Sequence, residues 1–466
     1  MAGVVVSCLS GAGCLSAPSG PAAPTPVAPK GCALGGEVPP TAPNGYYTNG
    51  STVCTADGSP HQFHGVDRPS LEWSAGGDNL SAADFANMAG WGANVVRIAL
   101  NQDFWLPGAA LNNPLYPAVV DQAVQWAEAA GLDVILDLHW SDAGDLTVTS
   151  TQSQGPGNSS QQMMADANSI EFWKQVAAKY KGDGHVLFEL YNEPHGITWD
   201  LWLNGGQAGR VVVAGMQQLY DAVRGTGANN IVIAGGLDWA YDLSGVGPTS
   251  SFVHGFNVMY ATHPYLTSGD SASGWEGSFG HLVTTDFAPV IATEFGDGRV
   301  PSCTGDWDQQ LIAFLGQKAS WTAWAWFVAG NSNDPQGCHF PSLILDWSGT
   351  PSIQGAVVRA ALQTYPPPTP KATTQPCGEG ASDSEAGADS DQAAGDAGAV
   401  LGASEGASDE ASGDGGAAPT DSEGGADEAS GDDGSGPADG DGSGGDATTD
   451  ASPNVSADAT IDNFVE

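Results

Sequence analysis

Two acids stand out by where they fall in the chain. Residues 187–194 read LFELYNEP, an apolar run that stops on Asn192 and Glu193 and is closed at once by Pro194. Residues 289–297, PVIATEFGD, again end by presenting one acid, Glu294, just ahead of a glycine. A buried strand followed by an amide, a carboxylic acid and a breaker carries polar groups to the rim of a sheet. Two such strand ends in one parallel barrel would bring both carboxyl groups to a shared cavity. That pair suits cleavage of a glycosidic bond: one acid protonates the leaving oxygen, and one carboxylate attacks the anomeric carbon or activates water.

The elements that must position the pair alternate strand and helix from about residue 45 to 365, which argues for a parallel α/β fold. Strands are expected at 62–66, 94–100, 133–140, 187–194, 230–236, 257–261, 289–297 and 321–327. Ser81 with Asp84 forms a capping-box pattern for a helix carrying Phe85, Met88 and Ala89. A helix over 116–130 stripes Val120, Ala123, Val124 and Ala127 and stops at Gly131. Others are expected at 169–181 (stacking Trp173, Val176, Ala177 and Tyr180), 211–224, 307–318 and 351–365, with a weak signal after the fifth strand. Eight strands in this order predict a (β/α)8 TIM barrel, whose working residues lie at the C-terminal strand ends.

Those ends carry Arg97, His139, Asn192, Glu193, His263, Tyr265, Glu294 and a tryptophan of the eighth strand. Arg97 is a charge inside a β-branched run, costly unless paired. With Arg97 on the second strand, then DLHW (137–140), LYNEP (190–194), THPY (262–265), TEFG (293–296) and WTAWAW (321–326), the chain resembles glycoside hydrolase family 5, the cellulase family of (β/α)8 retaining hydrolases. The resemblance spans about residues 63–365.

It implies Glu193 as general acid/base and Glu294 as nucleophile. It further implies substrate-binding roles for Arg97, His139, Asn192, His263, Tyr265, Trp324, Trp326 and Trp140. Asn192 would take the sugar 2-hydroxyl, the two histidines would hold hydroxyls and orient the carboxyls, and Arg97 and Tyr265 would donate to Glu294. Trp324, followed by a small residue, is the expected sugar platform, with Trp326 in reserve because strand alternation places both on one face. A neighbouring carboxylate and removal from water should raise the pKa of the acid. Trp73, Trp105, Trp140, Trp202, Trp239 and Trp275 fall in or beside loops on the binding face, and half of them are expected to line it. Trp91, Trp126 and Trp173 read as packing.

Composition divides the chain into three: a Pro/Ala/Ser-rich linker or signal remnant (1–44), a catalytic domain (45–366) and an acidic tail (367–466). From residue 371 onward 23 Asp and Glu face one Lys among Gly, Ala and Ser, too little apolar surface to offset chain entropy, so both ends are expected to be disordered. The rest holds 31 acids against 11 Lys and Arg. That charge excludes nucleic acid as a partner and does not repel a neutral polysaccharide. Asp439, Asp441, Ser443, Gly444 and Asp450 match a calcium-loop spacing, but Asp446 stands where an apolar residue belongs and no helices flank it, so the segment reads as a spacer.

Cys32 with Cys54 and Cys303 with Cys338 are candidate disulfides, with free thiols the alternative. Cys8 and Cys14 lie in sequence that loosely matches a lipoprotein cleavage site, so the protein is expected to be secreted or lipid-anchored at the cell surface. No membrane span, metal or organic cofactor is expected, and a monomer is. The implied activity is a retaining endo-β-1,4-glucanase acting on cellulose or related β-glucans. A β-1,4-mannanase or other β-glycanase, and a non-catalytic carbohydrate-binding barrel, are the alternatives.

Overall fold

In the computed structural model, which describes residues 32, 38–142, 144–147, 161–266, 272–298, 303–316, 318–328, 336–338, 340–369 and 371, eight parallel strands close into one barrel. We number them β1 (His64–Arg68), β2 (Val95–Asn101), β3 (Asp133–Trp140), β4 (Val186–Glu189), β5 (Val232–Gly235), β6 (Val258–Thr262), β7 (Val290–Ala292) and β8 (Ser320–Ala323). All eight are buried along their length except at Trp140, the half-buried last residue of β3, as parallel strands covered by helices must be. The ring closes where Trp321 of β8 pairs with His64 of β1. Most of the two segments expected to be disordered, and the calcium-loop spacing with them, fall outside the described residues.

The six helices of ten or more residues among the described residues are α1 (Ala82–Trp91), α2 (Tyr116–Ala129), α3 (Ala167–Tyr180), α4 (Met216–Gly225), α5 (Asp306–Leu315) and α6 (Ile353–Leu362). Helix α1 starts at Ser81 as expected, yet only half of the capping box forms. Ser81 accepts from the Asp84 amide, while the Asp84 carboxylate turns inward to Arg68 Nε at 2.5 Å and Trp326 Nε1 at 2.7 Å. Helix α3 begins earlier than its apolar stripe suggests, because Asp166 caps it and Ser169 returns the bond. The expected helix over 211–224 is corrected at its start: Val211–Val213 pairs antiparallel with Gly206–Ala208, and the helix begins after Gly215. Three consecutive valines favour an extended backbone over a helix. No helix stands between β5 and β6.

The barrel interior has two storeys. Val95, Ile135, Leu187, Ile233, Met259 and Ile291 fill the lower one, and a hairpin (Tyr46–Asn49 with Thr52–Thr55) lays Tyr46 and Val53 beneath them. One alternation step up, the inward positions become Asp67, Arg97, Asp137 and Glu189, with Asp67 beside Arg97 and Asp137 beside Glu189 in the ladder. A charged layer this deep is tolerated only because its members pair.

Packed structure reaches to both sides of 45–366. Cys32 is bonded to Cys54, Ala42 is buried, and Lys371 Nζ lies 2.5 Å from Asp133 Oδ1. Cys303 is bonded to Cys338.

Candidate active site

The two carboxyls converge. One oxygen each of Glu193 and Glu294 and one ring nitrogen of His263 all lie within 4.8 Å of one another. Glu193 arrives on the turn after β4, where the ladder ends at Glu189 but backbone bonds continue from Leu190 to Ile233 and from Asn192 to Leu138. Glu294 arrives two residues past β7.

Glu294 is held from both sides. Arg97 Nη1 donates to its Oε1 at 2.6 Å and the Tyr265 hydroxyl to its Oε2 at 2.7 Å. Burial and the Glu294 charge push the Tyr265 hydroxyl far above its ordinary pKa, so it stays a donor. Arg97 also donates to Glu189 Oε2 at 2.6 Å and Asn192 Oδ1 at 2.7 Å, and lies 3.0 Å from Asp137 Oδ2. Asp67 and Asp137 are the carboxyls that give way in this crowd: burial pushes both well above the usual range against the pull of Arg97. Glu189 moves the other way, since Arg97 and His263 outweigh its burial.

Glu193 Oε1 meets His263 Nδ1 at 2.9 Å, and Gln161 Nε2 donates to Oε2. Burial raises its pKa, but the bond and charge of His263 and the Gln161 amide outweigh it, so the group lies below the ordinary carboxylate value. This reverses the expectation of a raised acid: a cation-forming ring stands between the two carboxyls and screens one from the other. Burial pulls His263 down, yet Glu294, Glu189 and Glu193 together push it up to about 10. The two groups therefore titrate as a pair, with one proton between Oε1 and Nδ1 over a wide pH range.

His139 donates or accepts at Nδ1 with Asp137 Oδ2 at 2.7 Å, and its ring stacks on Trp324, centroids 5.7 Å apart and 15° between planes. Trp324, 8% exposed, is joined to Ala325 by a cis peptide. Beyond Glu193, His195 stacks flat against Trp239 at 4.5 Å and 5°. Trp239 is 45% exposed and sits in the middle of three successive left-handed residues, Asp238, Trp239 and Ala240 (φ 56, 54 and 61°). Such backbone costs roughly 1 kcal/mol or more per residue and persists where the surroundings hold it.

A model of the family described as "Cellulase (glycosyl hydrolase family 5)" matches residues 54–330. The chain belongs to glycosyl hydrolase family 5. As a family 5 member it is 27% identical over 335 residues to Cellulase CelDZ1 of Thermoanaerobacterium sp., covering 68% of this chain and 79% of that one. Endoglucanase E-5 of Thermobifida fusca is 25% identical over 334 residues, and there the match spans 63% of the relative's length. In fold it is similar to the β-glucanase SdGluc5_26A from Saccharophagus degradans, with TM-score 0.53, 22% identity, and coverage of 71% of this chain and 98% of that one.

Two expected substrate contacts in this family 5 chain are corrected. Trp326 has no exposed surface and gives its indole N–H to Asp84 under α1. Strand β8 ends at Ala323, so alternation no longer places it beside Trp324. Arg97 is equally buried, and acceptors within the protein, Glu294 among them, surround its guanidinium and leave it no donor to offer a sugar. Among the loop tryptophans Trp105, Trp202 and Trp275 are core, Trp73 and Trp140 are half-buried, and Trp239 is open.

Sequence reasoning missed Asp67, Asp137, Glu189, Thr293 and Gln161. Asp137 and Glu189 carry the signal that exposed Arg97, a lone charge inside an apolar run, whereas Asp67 stands directly beside Arg68 and gives none. Glu193, His263 and Glu294 also form the one group among the described residues dense enough in donor atoms for a metal ion. The Arg97 cation 2.6 Å from Glu294 disfavours one there.

Proposed function

We propose that the protein is a retaining endo-β-1,4-glucanase that cleaves internal bonds of cellulose or a related β-glucan by double displacement. The observation that carries this reading is the separation of the two carboxyls. Oxygens within 4.8 Å suit a covalent intermediate, for which the groups stand about 5–5.5 Å apart, whereas inversion needs about 6.5–9.5 Å to admit a water. In the first step a Glu294 oxygen bonds to the anomeric carbon as the glycosidic bond breaks, and Glu193 gives its proton to the leaving oxygen. In the second, Glu193 takes a proton from water, whose oxygen replaces Glu294 on the sugar.

Arg97 and Tyr265 keep electron density on Glu294 directed at the sugar. Asn192, with its carbonyl fixed by Arg97, has its amide to offer the 2-hydroxyl. Trp324 offers a flat apolar face, and Trp239 offers another, stacked on His195 two residues past Glu193. The choice of glucan is supported by the relatives' names and by a complex of the S. degradans β-glucanase with cellotetraose.

Proton NMR of cello-oligosaccharide hydrolysis tests the mechanism: the β-anomer should appear first, and the α-anomer first would reject retention. Reducing-sugar release from carboxymethylcellulose and from mannan tests the substrate, since release from mannan alone would favour the mannanase, and binding without release the non-catalytic barrel. We further infer a secreted or surface-tethered monomer. Two disulfides suit an oxidising compartment, and no helix among the described residues is long and apolar enough to cross a membrane.

A further inference from the structure

Behind Glu193 lies a relay whose hydrogens can be counted. Thr293 Oγ1 is 2.8 Å from Glu189 Oε1 and 3.0 Å from His263 Nε2. All three residues are buried, and a hydroxyl has one proton to give. Glu189 Oε2 takes Arg97 Nε, while for Oε1 the His263 ring stands too far off, at 3.9 Å. Leaving a buried carboxylate oxygen without a donor is costly. The Thr293 proton therefore goes to Glu189, and the Thr293 oxygen accepts from His263. Nε2 must then carry a hydrogen whenever Glu189 is ionised, which leaves Nδ1 to face Glu193 Oε1 at 2.9 Å.

We propose that Thr293 and Glu189 are positioning residues that pin the tautomer of His263, and so keep the single proton between Nδ1 and Glu193 available for the leaving oxygen. The proposal rests on Glu193 being the acid. With Nε2–H pinned, losing the shared proton leaves a carboxylate facing an imidazole lone pair. Without the pin, the ring carries its remaining hydrogen on Nδ1 instead and donates it to Glu193, which stabilises the deprotonated acid. The pin thus raises the pH at which the pair gives up its proton. Replacing the Thr293 hydroxyl by a methyl leaves the other charged or titratable groups around the ring in place: Asp67 from β1, Arg97 from β2, Asp137 and His139 from β3, Glu189 from β4, Glu193 after β4, Tyr265 after β6 and Glu294 after β7.

The test compares Thr293→Val, which keeps shape and loses the hydroxyl, with Thr293→Ser, which keeps the hydroxyl. In the full chain, kcat/KM for cellopentaose is followed against pH. The alkaline limb of Thr293→Val is expected about one pH unit below wild type, with Thr293→Ser at the wild-type position. On 2,4-dinitrophenyl β-cellobioside, whose leaving group needs no proton, the Val variant and wild type should share one limb. An unmoved limb in Thr293→Val, an equal movement in Thr293→Ser, or an equal movement on the dinitrophenyl substrate overturns the proposal.

Glu193→Ala tells this apart from failure of the acid assignment. It should lose kcat/KM by a far larger factor on cellopentaose than on the dinitrophenyl substrate, whereas equal loss on both removes the acid and the proposal with it. Nitrogen-15 NMR of histidine-labelled wild type needs no variant: above the alkaline limb His263 is expected to hold its hydrogen on Nε2, and a hydrogen on Nδ1 overturns the pin.

Discussion

The guanidinium of Arg97 meets Glu294 Oε1 at 2.6 Å from a position with no solvent exposure. Its donors form a rigid planar fork, so the side of Glu294 that it grips fixes the direction in which the carboxylate points. The same group holds Glu189 and Asn192. Neutralising the charged storey of the barrel and aiming Glu294 are therefore one task for one side chain.

Arg97→Lys keeps the charge and loses the fork. Expected is a fall in kcat of at least about 100-fold, in line with loss of a preorganised donor. Arg97→Met, which leaves the carboxyls uncompensated, should cost about 3–5 kcal/mol of stability. Urea unfolding and steady-state kinetics read the two effects. A lysine variant with near-normal kcat would show that charge alone suffices.

Glu294→Gln should abolish turnover and leave oligosaccharide binding nearly intact, because the nucleophile acts once the bond breaks. Tyr265→Phe removes one charge-assisted bond to the same carboxylate and should lower kcat about 10–100-fold. Calorimetric titration with cellotetraose alongside rates separates binding from chemistry; parallel loss of both in Glu294→Gln would remove it from the nucleophile's role.

The barrel and the convergence of Glu193 with Glu294 were legible because strand periodicity and strand-end polarity survive in local sequence. What lay hidden depends on partners far along the chain. Asp84 looks like one half of a capping box, and only the approach of Arg68 and Trp326, the latter 242 residues on, turns it inward. The Val211–Val213 strand was masked by the following helical stripe, and Trp326 by assuming that β8 continued past Ala323. The lowered acid was illegible for another reason: a pKa depends on which donors reach the group, and the spacing from Glu193 to Gln161 or His263 encodes no distance.

Trp324 and Trp326, both just past β8, should separate cleanly. Trp326 packs edge-on against Trp91 at 4.7 Å and bonds Asp84, so Trp326→Ala is expected to cost about 3–5 kcal/mol. Trp324→Ala should raise KM and lower kcat while thermal melting changes little. The reverse pattern would place the sugar platform on Trp326.

Sequence alone suggests that everything past residue 369 is dispensable, but Lys371 Nζ lies 2.5 Å from Asp133 Oδ1, an oxygen shared with His185 and Tyr46 beneath the barrel. Ending the chain at Thr369 should therefore lower the melting temperature, by an amount matching about 1–3 kcal/mol, whereas ending it at Thr374 should not. Lys371→Met in the full chain should reproduce the loss. Equal melting of both truncations would reduce the ion pair to a surface contact.

Buried carboxyls outside the Glu193–Glu294 pair set the response of stability to pH, and Asp67 and Asp137, pushed well above the usual range, act in the same direction as the three that follow. Burial pushes Glu72 up to about 7, Asp166 up to about 7 with help from Asp142, and Glu128 up to about 8 with help from Asp183. Each binds a proton more tightly folded than unfolded, so unfolding releases protons and stability falls as pH rises from about 4.5 toward 8. His263, raised to about 10, adds to the same slope above its unfolded value near 6.5. Burial acts oppositely on His64, lowered to about 3, which must charge on unfolding in acid and so erodes stability below about 6.5. Melting temperature is thus expected to peak in mild acid and to drop by several degrees between about pH 6 and 8.5. Glu72→Gln, neutral at every pH, should flatten part of that drop. A melting temperature that holds or rises across the interval would mean that these carboxyls are ionised in the folded protein.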